Sequence, residues 1–577
     1  MVEVLNQTMR TIRIGNCSGF YGDRFSAMSE MLEGGPLDYL TGDYLAELTM
    51  LILGKDRQKD PSLGYAKTFL RQLAGCLTLA RQRGVRIVTN AGGLNPAGLA
   101  QAIRALAAEQ GIEVAVAHVQ GDDLIGEAAA HGWAGALTAN AYLGAFGIAE
   151  ALNAGADIVV TGRVTDAALT LGPAIAEFGW ERTDFDRLAA GVAVGHILEC
   201  GTQATGGNFS GFATVDTTRP LGFPLAELSA DGTAVVTKHP GTGGAVTVDT
   251  VTAQLVYEVA GPHYANPDVT ACLDTVELQQ SGPDRVRVSA VRGVAPPPTT
   301  KIALNSVGGW RNTVEFVLTG LDIEEKASWV RQQMTQALDA RPPAEIVWDL
   351  ARTDHADPAT QSAASAVLRC CVKDPDPAVV GRAFSSAAIE LALASYPGFH
   401  VTAPPGPGAP FGIYRAAYLP QEMVPHVVIR PDGTPVDIAP PPVTADPPEE
   451  TVAGFGRTRE GLEVEVPLGR LVFARSGDKG GTANVGVWVP VGHPRRAEAY
   501  AWLRDWLTPA VVSRLLPESA GLGIEVFALP NLRAVNIVID GLLGDGVASS
   551  TRFDPQAKAV GEWLRARTVN LPKELLA

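Results

Sequence analysis

The 577-residue sequence is poor in cysteine, with six, at positions 17, 76, 200, 272, 370 and 371. None forms a CxxC pair and the spacing is irregular, so neither a disulfide framework nor a cysteine-rich zinc site is indicated, and a reducing cytoplasm fits best. An excess of cations is also missing. Lys and Arg number 46 against 62 Asp and Glu, a formal net charge of −16, which argues against a general nucleic-acid binder, whose surface must neutralise phosphates. A local cationic pocket for a small anion stays open. Met1–Met9 lacks the basic stretch and apolar run of a secretory signal, and no window reaches the ~18 uninterrupted apolar residues of a membrane span. A soluble, cytoplasmic chain with no membrane partner is expected. GxSxG, HExxH, a Walker GK[ST] loop and a GxGxxG after a strand are all absent, which removes the best support for serine hydrolase, zincin, P-loop and dinucleotide chemistry. Neither a resident cofactor nor a bound metal is expected.

At this length roughly two to four packed units of about 150 residues are expected. Between residues 10 and 212, short β-branched runs end in polar, glycine-containing loops and lead into amphipathic segments, the pattern of a mostly parallel sheet with flanking helices. Val85–Thr89 opens into Asn90-Ala91-Gly92-Gly93-Leu94-Asn95-Pro96 and a helix to about Glu109, with Pro96 in its first turn. Thr11–Gly15 and Asp157–Val160 repeat the layout. In open α/β sheets such loops gather at the carboxyl edge, where ligands bind. Residues 213–439 read as a β-rich, mixed α+β region, with hairpins at Asp231-Gly232 and Gly282-Pro283-Asp284, helices over Glu324–Leu338 and Ala378–Ser395, and an extended run at Glu345–Leu350. Residues 440–464 are proline-rich and read as a linker. Residues 465–577 read as a ββαββα, ferredoxin-like α+β domain.

The densest polar segment is Gly195–Asn208, GHILECGTQATGGN. On a helix His196 and Glu199 share a face at i, i+3, where the carboxylate would hold the imidazole and raise its pKa for acid/base work, with Gln203 and Asn208 as neutral donors. The plain alternative is a surface pair at a glycine-capped helix end. A metal site at His196, Glu199 and Cys200 is disfavoured, because adjacent helical positions diverge by about 100°. Arg163 is a candidate anion clamp and Asp166 a candidate ligand or helix cap. Lys238, His239 and Thr242, in KHPGTGG, either present donors to an anion or form a tight turn. Arg475, Ser476, Asp478, Lys479 and Asn484 crowd into RSGDKGGTAN, read as a binding loop or a long solvated one. Asn90 and Asn95 complete the candidate set.

These same segments resemble the acyclic terpene utilisation (AtuA-like) family. The resemblance rests on IGNCSGFYGDR from Ile14, LDYLTGDYLAE from Leu37, TNAGGLNP from Thr89, VTGRVTDAALTLGPAIAEFGW from Val160, GHILECGTQATGGNF from Gly195 and KHPGTGGAVTVDTV from Lys238. ARSGDKGGTANVGVW from Ala474 and LPNLRAVNIVIDGLLGDGVASSTRFD resemble the ferredoxin-fold module that the family often carries. The resemblance implies a role in the breakdown of branched acyclic isoprenoids through CoA thioesters, without naming a chemical step. The expected function is therefore a lyase acting by acid/base chemistry on a free or CoA-linked carboxylic acid, by hydration, dehydration or carbon–carbon cleavage, in a homo-oligomer. The alternative is a non-catalytic acyl-CoA-binding or assembly subunit. A third reading, hydrolysis or transfer through Cys17, Cys200 or Ser476, lacks an identifiable paired base.

Overall fold

In a computed structural model of the chain, residues 10–449, 453 and 462–576 are described. The secretory-signal reading of residues 1–9 and part of the expected linker, 450–452 and 454–461, lie outside them. The chain forms two compact units, and neither is one stretch of sequence. Of the described residues, the first comprises 10–305, 414–449, 453, 462–547 and 556–576, and the second 306–413 and 548–555. This division differs from four consecutive segments, because the ferredoxin-like region shares a unit with the amino-terminal body.

The body of the first unit is built on an 11-stranded sheet. Its strands are β1 (Thr11–Asn16), β2 (Tyr39–Gly42), β3 (Arg86–Thr89), β4 (Val116–Gln120), β5 (Ile158–Thr161), β6 (Pro224–Ser229), β7 (Ala234–Lys238), β8 (Glu277–Gly282), β9 (Arg285–Ser289), β10 (Val427–Ile429) and β11 (Pro435–Asp437). They lie in the order β8-β9-β7-β6-β1-β2-β3-β5-β4-β10-β11. β1 through β5 are mutually parallel, and the antiparallel hairpins β6–β7 and β8–β9 extend the sheet on one side. The parallel strands are buried on both faces, which is why they read as continuous apolar runs rather than alternating ones.

Helix α1 (Pro96–Glu109) starts at Asn95, whose side chain accepts the Gly98 N–H. Helices α2 (Ala168–Phe178) and α3 (Phe185–Glu199) follow β5, and every residue from Leu188 to Glu199 is buried. A helix apolar on all sides belongs inside a core, and α3 therefore carries its carboxyl end, with His196 and Glu199, into the interior. Helix α4 (Val248–Leu255) begins at a Thr247–Thr250 capping box. None of the helices of the described residues is long and apolar enough to cross a membrane.

The ferredoxin-like part has strands β12 (Phe473–Lys479), β13 (Thr482–Trp488), β14 (Ile524–Leu529) and β15 (Ala534–Ile539), ordered β12-β13-β15-β14 and antiparallel. Helices at Arg496–Trp506, Pro509–Leu515 and Val560–Ala566 complete it. The segment expected as a long loop is mostly strand. Arg475 pairs with Gly486, Gly477 with Asn484 and Lys479 with Thr482, leaving only Gly480-Gly481 to turn, with Gly480 at φ 65°. Polar residues had concealed the alternation. One sheet face, with Ala474, Val485, Val487, Val535 and Ile537, joins the domain's own core. The other face carries Arg475, Gly477, Asn484, Gly486 and Asn536, which lie against body residues Val256–Val259, together with Phe473, Trp488 and Ala534, which pack into the core of the body.

That contact depends on missing side chains. A Cβ on Gly486 would stand 2.2 Å from Val256 Cγ2 and 2.8 Å from its carbonyl oxygen, and one on Gly477 would stand 2.4 Å from the Tyr257 ring. Into the space so left, Glu258 N–H donates to Asn484 Oδ1 at 2.7 Å and Asn536 Nδ2 donates to Val259 O at 3.2 Å. Trp488 Nε1 donates to Asp249 Oδ1 at 3.1 Å.

The second unit holds the antiparallel strands Glu345–Ala351 and Ser365–Asp374, which pair with each other, and the part of strand Thr299–Thr319 that pairs with the latter. Helix Ile323–Leu338 packs on them through Ala327, Val330 and Met334. The helix expected over Ala378–Ser395 is interrupted at its start, where Gly381 has ψ −120°, and is regular only over Phe384–Glu390.

Gly486→Ala is expected to lower stability by about 1–3 kcal/mol, the usual cost of forcing bulk into a packed contact. Gly492→Ala, where an added Cβ meets nothing within 4 Å, should leave the melting temperature nearly unchanged. Thermal unfolding of the two variants side by side checks the difference.

Candidate functional site

The carboxyl ends of the parallel strands supply the first wall of the site. Asp43 follows β2, Asn90 follows β3, Asp122 follows β4 and Arg163 follows β5, and all four are buried. Asn90 Nδ2 donates to Asp43 Oδ1 at 2.6 Å, while its Oδ1 accepts the Tyr44 N–H at 2.8 Å. Asp122 accepts the Arg163 N–H and Asn140 Nδ2 at 2.8 and 2.9 Å, which fixes the backbone that carries Arg163. The guanidinium of Arg163 lies over the Tyr142 ring at 4.5 Å and donates to the Tyr142 hydroxyl at 3.0 Å. Asp166 Oδ1 stands 3.3 Å from Arg163 Nη2. The cap reading of Asp166 does not hold, because the N-cap position of α2 is Ala167, with no side-chain cap bond.

The second wall is the carboxyl end of α3. Asn16, at the end of β1, donates its side-chain N–H to the Glu199 carbonyl at 3.0 Å, and Gln254 on α4 donates to the His196 carbonyl at 3.1 Å. His196 Nδ1 and Glu199 Oε1 are 2.9 Å apart. The pair is not at the surface, since His196 is 1% and Glu199 8% exposed. Burial reverses the expected electrostatics. It pushes His196 down to about 4, helped by the Lys479 charge, and it pushes Glu199 well above the usual carboxylate range, helped by Asp166. Both shifts favour the uncharged forms, a neutral imidazole beside a protonated carboxyl, which avoid two desolvated charges.

The third wall comes from the ferredoxin-like part. On its docked face, Arg475 stacks on Tyr257 at 4.2 Å and reaches the Gln203 side chain and, at 3.4 Å, the Asn208 carbonyl. Lys479 lies 5.6 Å from the centre of the Tyr264 ring, and that ring is 5.0 Å from His196. The charge of Lys479 is felt at Glu47, Asp166, His196, Glu199 and Glu258. Lys558 donates to Glu258 Oε1 at 3.1 Å and stands 3.4 Å from Asp478. Burial and the Glu258 charge push Asp478 up to about 7. Burial would also raise Glu258, but Lys558 and Lys479 outweigh it and hold it below the ordinary range. Likewise Lys301 and Arg163 overcome burial and take Glu47 down to about 2.

Five polar atoms in this cluster are buried without a hydrogen-bond partner among the described residues: Arg163 Nη1, Asp166 Oδ1, His196 Nε2, Glu199 Oε2 and Tyr414 Oη. Buried donors and acceptors are paired in the great majority of cases, so five such atoms within one charged cluster, Asp166 Oδ1 among them with only its ion pair to Arg163, leave bonding capacity that a polar ligand could fill.

The structure thus brings together Asn90, Arg163, Asp166, His196, Glu199, Gln203, Arg475, Asp478 and Lys479. Asn208 contributes its carbonyl, and its side chain is exposed. Asn484 holds Glu258. Other candidates are committed elsewhere. Asn95 caps α1. Lys238 donates to the Thr242 carbonyl at 3.0 Å and pairs with Asp284, Thr242 Oγ1 donates to the His239 carbonyl, and His239 Nε2 lies 3.0 Å from the Met31 carbonyl, which is the tight-turn reading. Ser476 Oγ accepts the Gly561 N–H and donates to the Lys558 carbonyl. Burial pushes the thiols of Cys17 and Cys200 up, which keeps thiolate scarce and leaves the nucleophile reading without support. Among the described residues, one group has metal-ligand character: His263, Cys272 and Asp274, whose ligand atoms lie within 4.8 Å of one another.

Sequence reasoning missed Asp43, Glu47, Tyr142, Glu258, Tyr264, Lys301, Tyr414 and Lys558. Asp43 was accessible, because LDYLTGD ends a strand in the same way as the loops at Asn90 and Arg163. The others lie on separate elements and only tertiary packing unites them.

Residues 12–429 match the model of the acyclic terpene utilisation family protein AtuA, and residues 466–570 match that of the AtuA ferredoxin-like domain. No curated protein matches the chain, and no solved structure does.

If Lys479 acts on His196 across the domain contact, Lys479→Met should raise the His196 pKa from about 4 toward its ordinary value, because a nearby positive charge disfavours imidazolium. Titration of the His196 ring by NMR reads the shift directly.

Proposed function

The chain belongs to the acyclic terpene utilisation family AtuA, and from that premise we propose that it is an acid/base lyase that adds or removes water next to the carbonyl of a branched acyclic acid, free or as its CoA thioester. The observation that carries this reading is the set of buried atoms without a hydrogen-bond partner on Arg163, Asp166, His196 and Glu199. Arg163, kept charged by Asp166, Tyr142 and Glu47 despite burial, binds the substrate carboxylate or carbonyl oxygen and stabilises the enolate that forms there.

In the dehydrating direction Asp166 takes the proton from the carbon next to the carbonyl. The carbon–oxygen bond of the hydroxyl breaks, and His196 Nε2 gives its proton to the departing oxygen, so that water leaves and a double bond remains. Glu199 passes its own proton to Nδ1 as Nε2 loses one, so the imidazole is never charged in its buried position. Two carboxyls then need different protonation states at one pH, and the environment supports that, since Glu199 is raised further than Asp166. The neutral imidazole supports it as well.

Purified protein incubated with branched 3-hydroxyacyl and enoyl substrates, as acids and as CoA thioesters, tests the proposal. Turnover is expected with a bell-shaped pH profile. Its acid limb lies above the usual carboxylate range, where Asp166 ionises, and its alkaline limb lies where Glu199 loses its proton. Glu199→Gln keeps a donor to Nδ1 but cannot relay a proton, so kcat should fall by roughly 10²–10⁴-fold with loss of the alkaline limb. Arg163→Met should raise KM by about 30-fold or more. Turnover unaffected by His196→Ala would sink the assignment, and ligand binding without any turnover would favour an assembly subunit.

A further inference from the structure

The second unit has a cavity of about 220 Å³, lined by Arg311, Thr313, Arg369, Cys371, Ser550, Arg552, Phe553 and Pro555. Three arginines on one cavity are unexpected in a chain of net charge −16, and their placement follows from the register of the sheet. Thr313 pairs with Cys371 across neighbouring antiparallel strands, Arg311 lies two residues before Thr313, and Arg369 two before Cys371. Period-two alternation therefore puts all four side chains on one sheet face. The segment 548–555 closes that face from above. Its carbonyls hold the two guanidinium groups at one nitrogen each: Arg369 Nη1 donates to Thr551 O at 2.9 Å and Arg552 O at 3.3 Å, and Arg311 Nη1 approaches Ser550 O at 3.4 Å.

Neither Arg311 nor Arg369 has a carboxylate within 4 Å among the described residues, although most arginines that line buried surfaces are paired. In the sheet Arg369 stands between Glu315 and Asp349 and makes an ion pair with neither, and Glu315 accepts instead from Thr402 Oγ1 at 3.1 Å. The remaining guanidinium donors of Arg311 and Arg369 are thus available, and fork-shaped donors match the oxygens of a phosphate. Phe553 lies at the same cavity with 81% of its surface exposed. A large aromatic ring held in water beside an anion site is a platform on which a planar base can stack. The cavity is below the ~300–1,000 Å³ of sites that enclose a whole drug-sized ligand, so it receives one group of a ligand and leaves the rest outside.

We infer that this cavity binds the phosphate of a phosphorylated nucleoside, with Arg311 and Arg369 on the phosphate oxygens and Phe553 against the base. The assignment concerns the second unit alone and does not depend on the proton-transfer reading.

Calorimetric titration of the full chain with adenosine 3′,5′-bisphosphate, AMP, adenosine and inorganic phosphate tests it. The two phosphorylated nucleosides should bind, and adenosine should not. Arg369→Ala and Arg311→Ala should each weaken binding by tenfold or more. Arg369→Lys keeps the charge and much of the packing and should still lose most of the affinity, because the fork is gone. Phe553→Ala, at an exposed position that folding does not need, should weaken the nucleotides about tenfold and leave inorganic phosphate unchanged. Absence of nucleotide binding, or affinities indifferent to both arginines, overturns the site. Inorganic phosphate binding as tightly as the nucleotides overturns the nucleoside part of the assignment.

Discussion

The docking of the sheet face that carries Gly477 and Gly486 on residues Val256–Val259 is the constraint on which the rest of the first unit depends. Sheets normally join through apolar side chains about 10 Å apart. Here Phe473 and Trp488 keep such an apolar contact with Phe209, while Gly477 and Gly486 remove side chains beside it, so the backbones approach closely there and polar groups bond across the gap. The cost is visible at Glu258, a non-glycine residue at φ 54°. Such a conformation costs of order 1–3 kcal/mol and persists only when surrounding bonds hold it. Asn484 holds the amide of Glu258, Lys558 its carboxylate, and Asn536 the following carbonyl. A contact made this way positions Arg475 and Lys479 beside Tyr257 and Tyr264 far more tightly than a flexible tether could.

That positioning sets the electrostatics of the candidate site. Asp43, Asp166, Glu199, Glu258 and Asp478 would be prohibitively repulsive as five desolvated carboxylates. Lys479 and Lys558 keep Glu258 ionised, Lys301 and Arg163 keep Glu47 ionised, and burial leaves Glu199 and Asp478 with raised affinities for a proton. The result is a graded set of proton affinities along one surface, and enzymes that perform acid and base steps at a single pH need such a set. The neutral state of His196 belongs to the same balance. An imidazolium would be favoured by Glu258 and Asp166, but desolvation and Lys479 prevail.

Much of the architecture could be read from local pattern. The strands ending at Asn16, Thr89 and Thr161, the hairpins at Asp231-Gly232 and Pro283-Asp284, and the ββαββα order after the linker all follow from periodicity and turn residues acting over a few positions. The segment Arg475–Lys479 could not be read in this way, because its strand alternates charged residues with serine and glycine rather than with apolar ones. Its outward face is satisfied by another part of the chain more than two hundred residues away. The candidate residues divide in the same manner. His196 and Glu199 were recognisable as an i, i+3 pair, while Lys238, His239 and Thr242 formed an equally polar motif that closes on itself.

The sequence alone therefore settled the classes of element, their order, the family resemblance and the spacing of the His196–Glu199 pair, since each depends on neighbours along the chain. The tertiary structure decided the direction in which the proton affinities of that pair shift, the convergence of Arg163, Lys479 and Glu258, and the division into units that interleave along the chain. Desolvation and Coulomb interaction depend on distances through space, and those distances exist only once the glycine-lined face has docked.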